Sequence, residues 1–239
     1  MTGQTSLIVA AIGLSLLGLV FLLLKFMRLC DSYRFADWGG KFANRLAGLI
    51  SCFVHRYHGL SMNPIPLPDT GPAIVVCNHI SGLDPLVLIA ATPRSLRFLI
   101  AREEYERFGL QWLFRLGRCI PVERDKRPEL AMRAALRALE EGDVVALFPH
   151  GKIHLPGEMP ARIKGGAVKL SQISGAPVYP LHVEGVKGAG YTLLAIPLKS
   201  KIKLSTHSPQ TFSSGKNDEN IRKLQELIET PIQVNADNT

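Results

Sequence analysis

VVCNHISGLDPLVL, residues 75–88, decides how the rest of the chain is read. Residues 73–77 (AIVVC) form an apolar run of strand length, and Ser81-Gly82 is a turn signal. Asp84 then takes the N-cap place with Pro85 at N1, which starts a helix. The unit is strand, turn, helix, with His79 at the turn. In a continuous helix residues five apart lie ~140° apart around the axis and do not meet. Gly82 can take a positive φ, so the turn is expected to fold Asp84 back toward the His79 imidazole. Two readings stand. In one, His79 is a buried, hydrogen-bonded ring and Asp84 a helix cap. In the other, Asp84 fixes the imidazole tautomer and the second ring nitrogen is a general base.

The second reading lacks a protein nucleophile. No G-x-S-x-G elbow occurs in the chain, and Cys77 is assigned to the strand core. The pair would therefore activate a hydroxyl that arrives with a substrate.

Outward from this unit the pattern repeats. Strands are expected at 96–101, 119–122, 143–148, 177–183, 191–196 and 201–206, and helices at 108–117, 127–142, 165–175 and 218–229. Apolar strands alternating with helices give an α/β class with a mostly parallel central sheet flanked by helices. Chemistry in such sheets gathers just beyond the strand ends, where His79 lies.

The N-terminal part is different. Leu7–Leu24 (LIVAAIGLSLLGLVFLLL) carries no charge, and as a helix it is about 27 Å long, enough to cross a bilayer core. No positive charge precedes it and no small-residue cleavage site follows, so an uncleaved membrane anchor is expected over residues 1–28. A monotopic dip into the bilayer is the alternative. Lys25, Arg28, Arg34, Lys41 and Arg45 follow the segment, which places the remainder on the cytoplasmic side. Residues 29–60 read as an amphipathic, interfacial helix. Phe35, Trp38, Phe42, Leu46, Leu49 and Phe53 share one face, with a kink expected at Gly39-Gly40. That face either packs on the main domain or lies in the membrane interface. The proline-rich stretch 61–72 is a linker, and 61–239 is the main domain.

A net charge of +8 points to an acidic partner, and the apolar N-terminus selects a phospholipid membrane over nucleic acid. The four cysteines lie far apart, without metal-ligand or disulfide spacing. His150 and His154 lack an accompanying carboxylate pair, so no metal is expected.

NHISGLD (78–84) resembles the N-H-x-x-x-x-D block of the glycerolipid acyltransferases, the family of bacterial 1-acylglycerol-3-phosphate acyltransferases. Three further blocks follow in order: GRCIPVER (117–124), LFPHGKIHLPGEMPARIKGGAVKLS (147–171) and GAPVYPLHV (175–183). The resemblance implies that His79 takes the proton of an acceptor hydroxyl as it attacks the thioester of acyl-CoA or acyl carrier protein. Asp84 would orient the imidazole. Arg124 carries over to the family's acceptor-phosphate arginine, and Lys164, just before Gly165-Gly166, to the family's lysine, which adds a second cation. No cofactor is implied, since the acyl donor is a substrate.

The third block departs from the family pattern F-P-E-G-T-R. His150 stands for the glutamate, Lys152 for the threonine and Ile153 for the arginine, while Phe148, Pro149 and Gly151 are kept. Either Lys152 supplies the missing cation with His150 bonding an acceptor hydroxyl, or the acceptor is a lyso-lipid with another head group. The expectation is a membrane-bound enzyme acylating a lysophospholipid, 1-acylglycerol-3-phosphate first. Its site is His79 and Asp84 for catalysis, with Arg124, His150, Gly151, Lys152 and Lys164 for binding. A non-catalytic lipid-binding relative and a lipid hydrolase are the rival classes.

Overall fold

The computed structural model describes residues 2–123, 127–155 and 162–232. Its centre is β1 (Ala73–Cys77), buried at every residue. β1 lies between β4 (Val144–Leu147) and β5 (Val178–Glu184), parallel to both. With β2 (Leu96–Ala101), β3 (Ile120–Val122) and β6 (Lys203–Thr206) the sheet order is β3-β2-β4-β1-β5-β6. Only β6 runs antiparallel, against β5. The α/β class and the mostly parallel sheet are those expected from the apolar runs.

Period-two alternation sorts the core into two layers. Ala73, Val75 and Cys77 face Val54, Leu83, Val87 and Leu88. Ile74 and Val76 face Ala135, Leu139, Ala167, Leu170 and Leu224. The first layer is covered by α2 (Lys41–Tyr57) and α3 (Asp84–Ala91). The second is covered by α6 (Pro128–Glu140), α7 (Gly166–Ser174) and α8 (Asn217–Glu229). Two short helices, α4 (Arg102–Tyr105) and α5 (Gln111–Leu116), link β2 to β3. The 61–72 stretch is held by Ile65 N–H donating to Ala91 O at 2.8 Å, with Ile65 and Leu67 buried.

The N-terminal helix α1 runs from Thr2 to Ser32, and its Ala11–Ser32 part is long and apolar enough to cross a membrane. The next helix differs from its expected form. Residues 33–40 are not helical, and the chain breaks before α2 rather than kinking at Gly39-Gly40. Asp37 holds the break, accepting from Gly39 N–H and from the Asn44 amide. The expected apolar face divides: Trp38 and Phe53 pack against the core, while Phe42 and Leu49 are exposed. α2 buries Ala43, Ala47, Gly48, Ser51, Cys52, Val54 and His55. Ala47 and Gly48 are small because α2 approaches α1 closely: a Cβ on Gly48 would lie 3.0 Å from Cys30 O.

Residues 191–196 were expected as a strand and form turns instead, inside the connection from β5 to β6. Tyr191, Leu193 and Leu194 point out, while Ala195 is buried.

Candidate active site

The parallel strands β1 and β4 end side by side, and the loops that leave them meet. After β1 come Asn78 and His79; after β4 comes Phe148. The Phe148 ring stacks on the His79 imidazole with centroids 4.3 Å apart and planes 22° apart. Asn78 anchors the turn: its amide donates to Val183 O at 2.9 Å and its oxygen accepts from Val183 N–H at 2.7 Å.

His79 Nδ1 lies 2.9 Å from Asp84 Oδ2. The same oxygen accepts from the N–H groups of Ile80 (2.7 Å) and Ser81 (2.8 Å). The Ser81 hydroxyl donates to Oδ1 at 2.8 Å and itself accepts from Leu83 N–H. Because Oδ2 acts as an acceptor toward two backbone donors, Nδ1 is assigned the ring hydrogen. Nε2 then carries a free lone pair. Asp84 is wholly buried, whereas the His79 side chain keeps 18% exposure, so the carboxylate is fixed and the imidazole is reachable.

Two details of the expected turn are corrected. Asp84 does not cap α3; Leu83 holds the N-cap position and no side chain caps the helix. The carboxylate turns backward into the 79–81 loop instead. Gly82 is also not among the positive-φ glycines. It is required by a close approach, since a Cβ there would sit 2.0 Å from Thr192 O. Cys77 is buried, which pushes its thiol well above its ordinary pKa and fits its assignment to the core.

The third block forms the opposite wall. His154 N–H donates to His79 O at 2.7 Å, and the His150 and His154 rings stack at 5.0 Å. His150 has only 2% side-chain exposure, and its Nε2 lies 3.2 Å from Glu229 Oε1 at the end of α8. Burial pushes the His150 pKa down, against the opposing pull of Glu229. Gly151 has φ +76°, and Lys164 lies over it: a Cβ at Gly151 would be 3.4 Å from Lys164 Nζ. Lys164 N–H donates to Pro149 O at 3.0 Å. Lys152 is exposed on the same loop.

The structure thus brings His79, Asp84, His150, Gly151 and Lys164 into one loop cluster, with Lys152 at its edge. Arg124 lies outside the described residues. Ser81, read only as a turn residue, Phe148, read only as a kept third-block residue, and Glu229, not singled out, also belong to the cluster. Ser81 sits inside the quoted motif and was legible as more than a turn residue. Glu229 is 79 positions from its partner and left no local signal.

A family model described as Acyltransferase matches residues 60–184, just over half of the chain. The chain belongs to the acyltransferase family. Within that family it is a glycerolipid O-acyltransferase. The 1-acyl-sn-glycerol-3-phosphate acyltransferase of Bacillus subtilis is 24% identical over 144 residues, covering 60% of this chain and 69% of that protein. The N-acylphosphatidylethanolamine synthase of Arabidopsis thaliana is 32% identical over 124 residues, covering 48% of this chain and 43% of the plant protein. This acyltransferase therefore spans less than half of that plant relative. The crystal structure of the 1-acyl-sn-glycerophosphate acyltransferase from Thermotoga maritima superposes with a TM-score of 0.58 at 21% identity, over 78% of each chain. That likeness establishes the shared fold.

Proposed function

We propose that this acyltransferase moves a fatty acyl group from acyl-CoA or acyl carrier protein to the hydroxyl of a lysophospholipid. The first acceptor is 1-acylglycerol-3-phosphate, and the product phosphatidic acid. It works at a membrane, held there by α1, with residues beyond α1 on the cytoplasmic side. The observation that carries the reading is the His79–Asp84 pair at 2.9 Å, which leaves Nε2 as the base.

The acceptor hydroxyl gives its proton to His79 Nε2 while its oxygen bonds to the thioester carbonyl carbon. Asp84 stabilises the imidazolium that forms. The tetrahedral intermediate collapses, the carbon–sulfur bond breaks, and the thiolate takes the proton back from Nε2. Proton and acyl group are both accounted for, and no covalent acyl-enzyme is needed. Arg124, Lys152 and Lys164 hold the acceptor phosphate, and His150 with Gly151 lines the acceptor side. Two of the similar proteins, from Bacillus subtilis and Mycoplasma pneumoniae, carry the name of this activity, the second as probable.

A second reading has its own support. The plant relative is named for a different acyl acceptor, and this chain replaces the family's third-block glutamate, threonine and arginine. Lysine binds phosphate as a point charge rather than a fork, which loosens the demand for a phosphate monoester. The test is a purified-enzyme assay with both donors against lysophosphatidic acid, lysophosphatidylglycerol, lysophosphatidylethanolamine and phosphatidylethanolamine. Preference for lysophosphatidic acid is expected. Preference for a diester or an amine overturns the acceptor assignment and leaves the transfer chemistry standing.

A further inference from the structure

The connection from β5 to β6, GVKGAGYTLLAIPLKSKI (185–202), is not part of the reaction described above, yet it is built with care. Its base is fixed. Ala195, Ser200 and Ile202 are buried, Lys187 N–H donates to Ser200 Oγ, and Ile202 N–H donates to His58 O at 2.9 Å. At Gly185, φ is +80° and a Cβ would lie 2.1 Å from Lys201 O, so the two arms close tightly. From this fixed base four large side chains stand in water: Tyr191 (57% exposed), Leu193 (62%), Leu194 (59%) and Leu198 (45%).

The loop also grips the catalytic turn. Gly82 N–H donates to Tyr191 O at 3.2 Å and Gly190 N–H donates to Ile80 O at 2.8 Å. On its other side Pro197 O accepts from the Tyr57 hydroxyl at 2.7 Å, at the end of α2. The exposed apolar residues therefore continue toward the outward face of α2, which packs on α1.

We propose that residues 185–202 are a second membrane contact, which seats the His79 side of the domain on an anionic phospholipid bilayer. This rests on the reading that α1 is membrane-embedded. Three observations select the bilayer. The tip is apolar while Lys187, Lys199 and Lys201 are exposed around it, and the loop contains no acidic residue. That is the arrangement suited to anionic head groups above acyl chains. The surface continues from the apolar helix α1 through α2. A second copy of this chain is disfavoured, because a self-paired contact sets lysines against lysines. Seated in this way, the turn that carries the base meets a lipid acceptor that never leaves the bilayer.

The test uses the full chain with Trp38→Phe and Trp112→Phe, so that the indole introduced by Leu193→Trp is read alone. On vesicles of phosphatidylcholine with about one third phosphatidylglycerol, its emission shifts to the blue and brominated lipids quench it at least twofold. Unchanged emission, from protein that does sediment with the vesicles, overturns the loop contact and leaves the α1 anchor intact. Failure of the wild-type chain to sediment overturns the anchor reading itself. A concentration-dependent blue shift without vesicles assigns the surface to a second copy and also overturns the proposal. Leu193→Asp with Leu194→Asp, on the unaltered tryptophan background, gives a second reading. Its acyl transfer in those vesicles, divided by its transfer in detergent micelles, falls at least tenfold below the wild-type ratio. An equal ratio overturns the proposal.

Discussion

His79 and Asp84 stand five positions apart in the chain and meet at 2.9 Å, because the segment between them is a turn tied by the carboxylate itself. The imidazole and the carboxylate are therefore one local unit. His79→Ala is expected to lower kcat by about 10²–10⁴, with the variant still partitioning into membranes. Transfer at the wild-type rate would refute the assigned role.

Ser81 gives its hydroxyl hydrogen to a buried carboxylate. Ser81→Ala removes a charge-assisted bond and should cost about 1.5–3 kcal/mol of stability. The rate loss should be smaller than for His79→Ala, since Ile80 and Ser81 N–H still hold Oδ2. Chemical denaturation in detergent, paired with the transfer assay, separates the two effects.

Gly82 leaves no room for a methyl group beside Thr192 O. Gly82→Ala should cost about 1–3 kcal/mol through overpacking and lower activity by displacing the turn. A variant as stable and active as wild type would mean that the 188–198 loop yields freely.

Glu229 reaches the third block from the end of α8 through His150, at 3.2 Å. Glu229→Gln should raise the acceptor KM about tenfold, the size of one charge-assisted hydrogen bond, with kcat nearly unchanged. A fall in kcat alone would place the effect on the chemical step instead of on acceptor binding.

His58 and His150 both have pKa values lowered from 6.5 by burial. Each takes up its proton less readily folded than unfolded. Between the folded value and 6.5 the unfolded chain binds more protons, so stability rises with pH across that window. The stability present above 6.5 is lost as pH falls. Thermal unfolding in detergent should show Tm dropping on the acid side, less steeply in His58→Phe. The same slope in both proteins would remove His58 from the account.

Much of this was legible in the chain because it is local. Alternating apolar strands and helices carry the α/β class, since a strand buried on both faces must be apolar throughout, as β1 is. The Asp84 carboxylate finds its hydrogen-bonding partners, His79, Ile80 and Ser81, within five residues. By itself, then, the sequence determined the fold class, the apolar first helix and the dyad. Tertiary structure decided the rest, through contacts between segments far apart. The close approach of the α2 backbone to α1 favoured small residues at Ala47 and Gly48. Apolar content in 191–196 suggested a strand, but with β6 already on β5 the run forms turns that bury Ala195 and project Tyr191, Leu193 and Leu194 outward. Gly82 is a glycine because Thr192 O presses on it from 110 positions away. Glu229 meets His150 only because α8 packs across the sheet. Long-range packing leaves no periodicity in the sequence, and steric fit rather than local preference chose those partners.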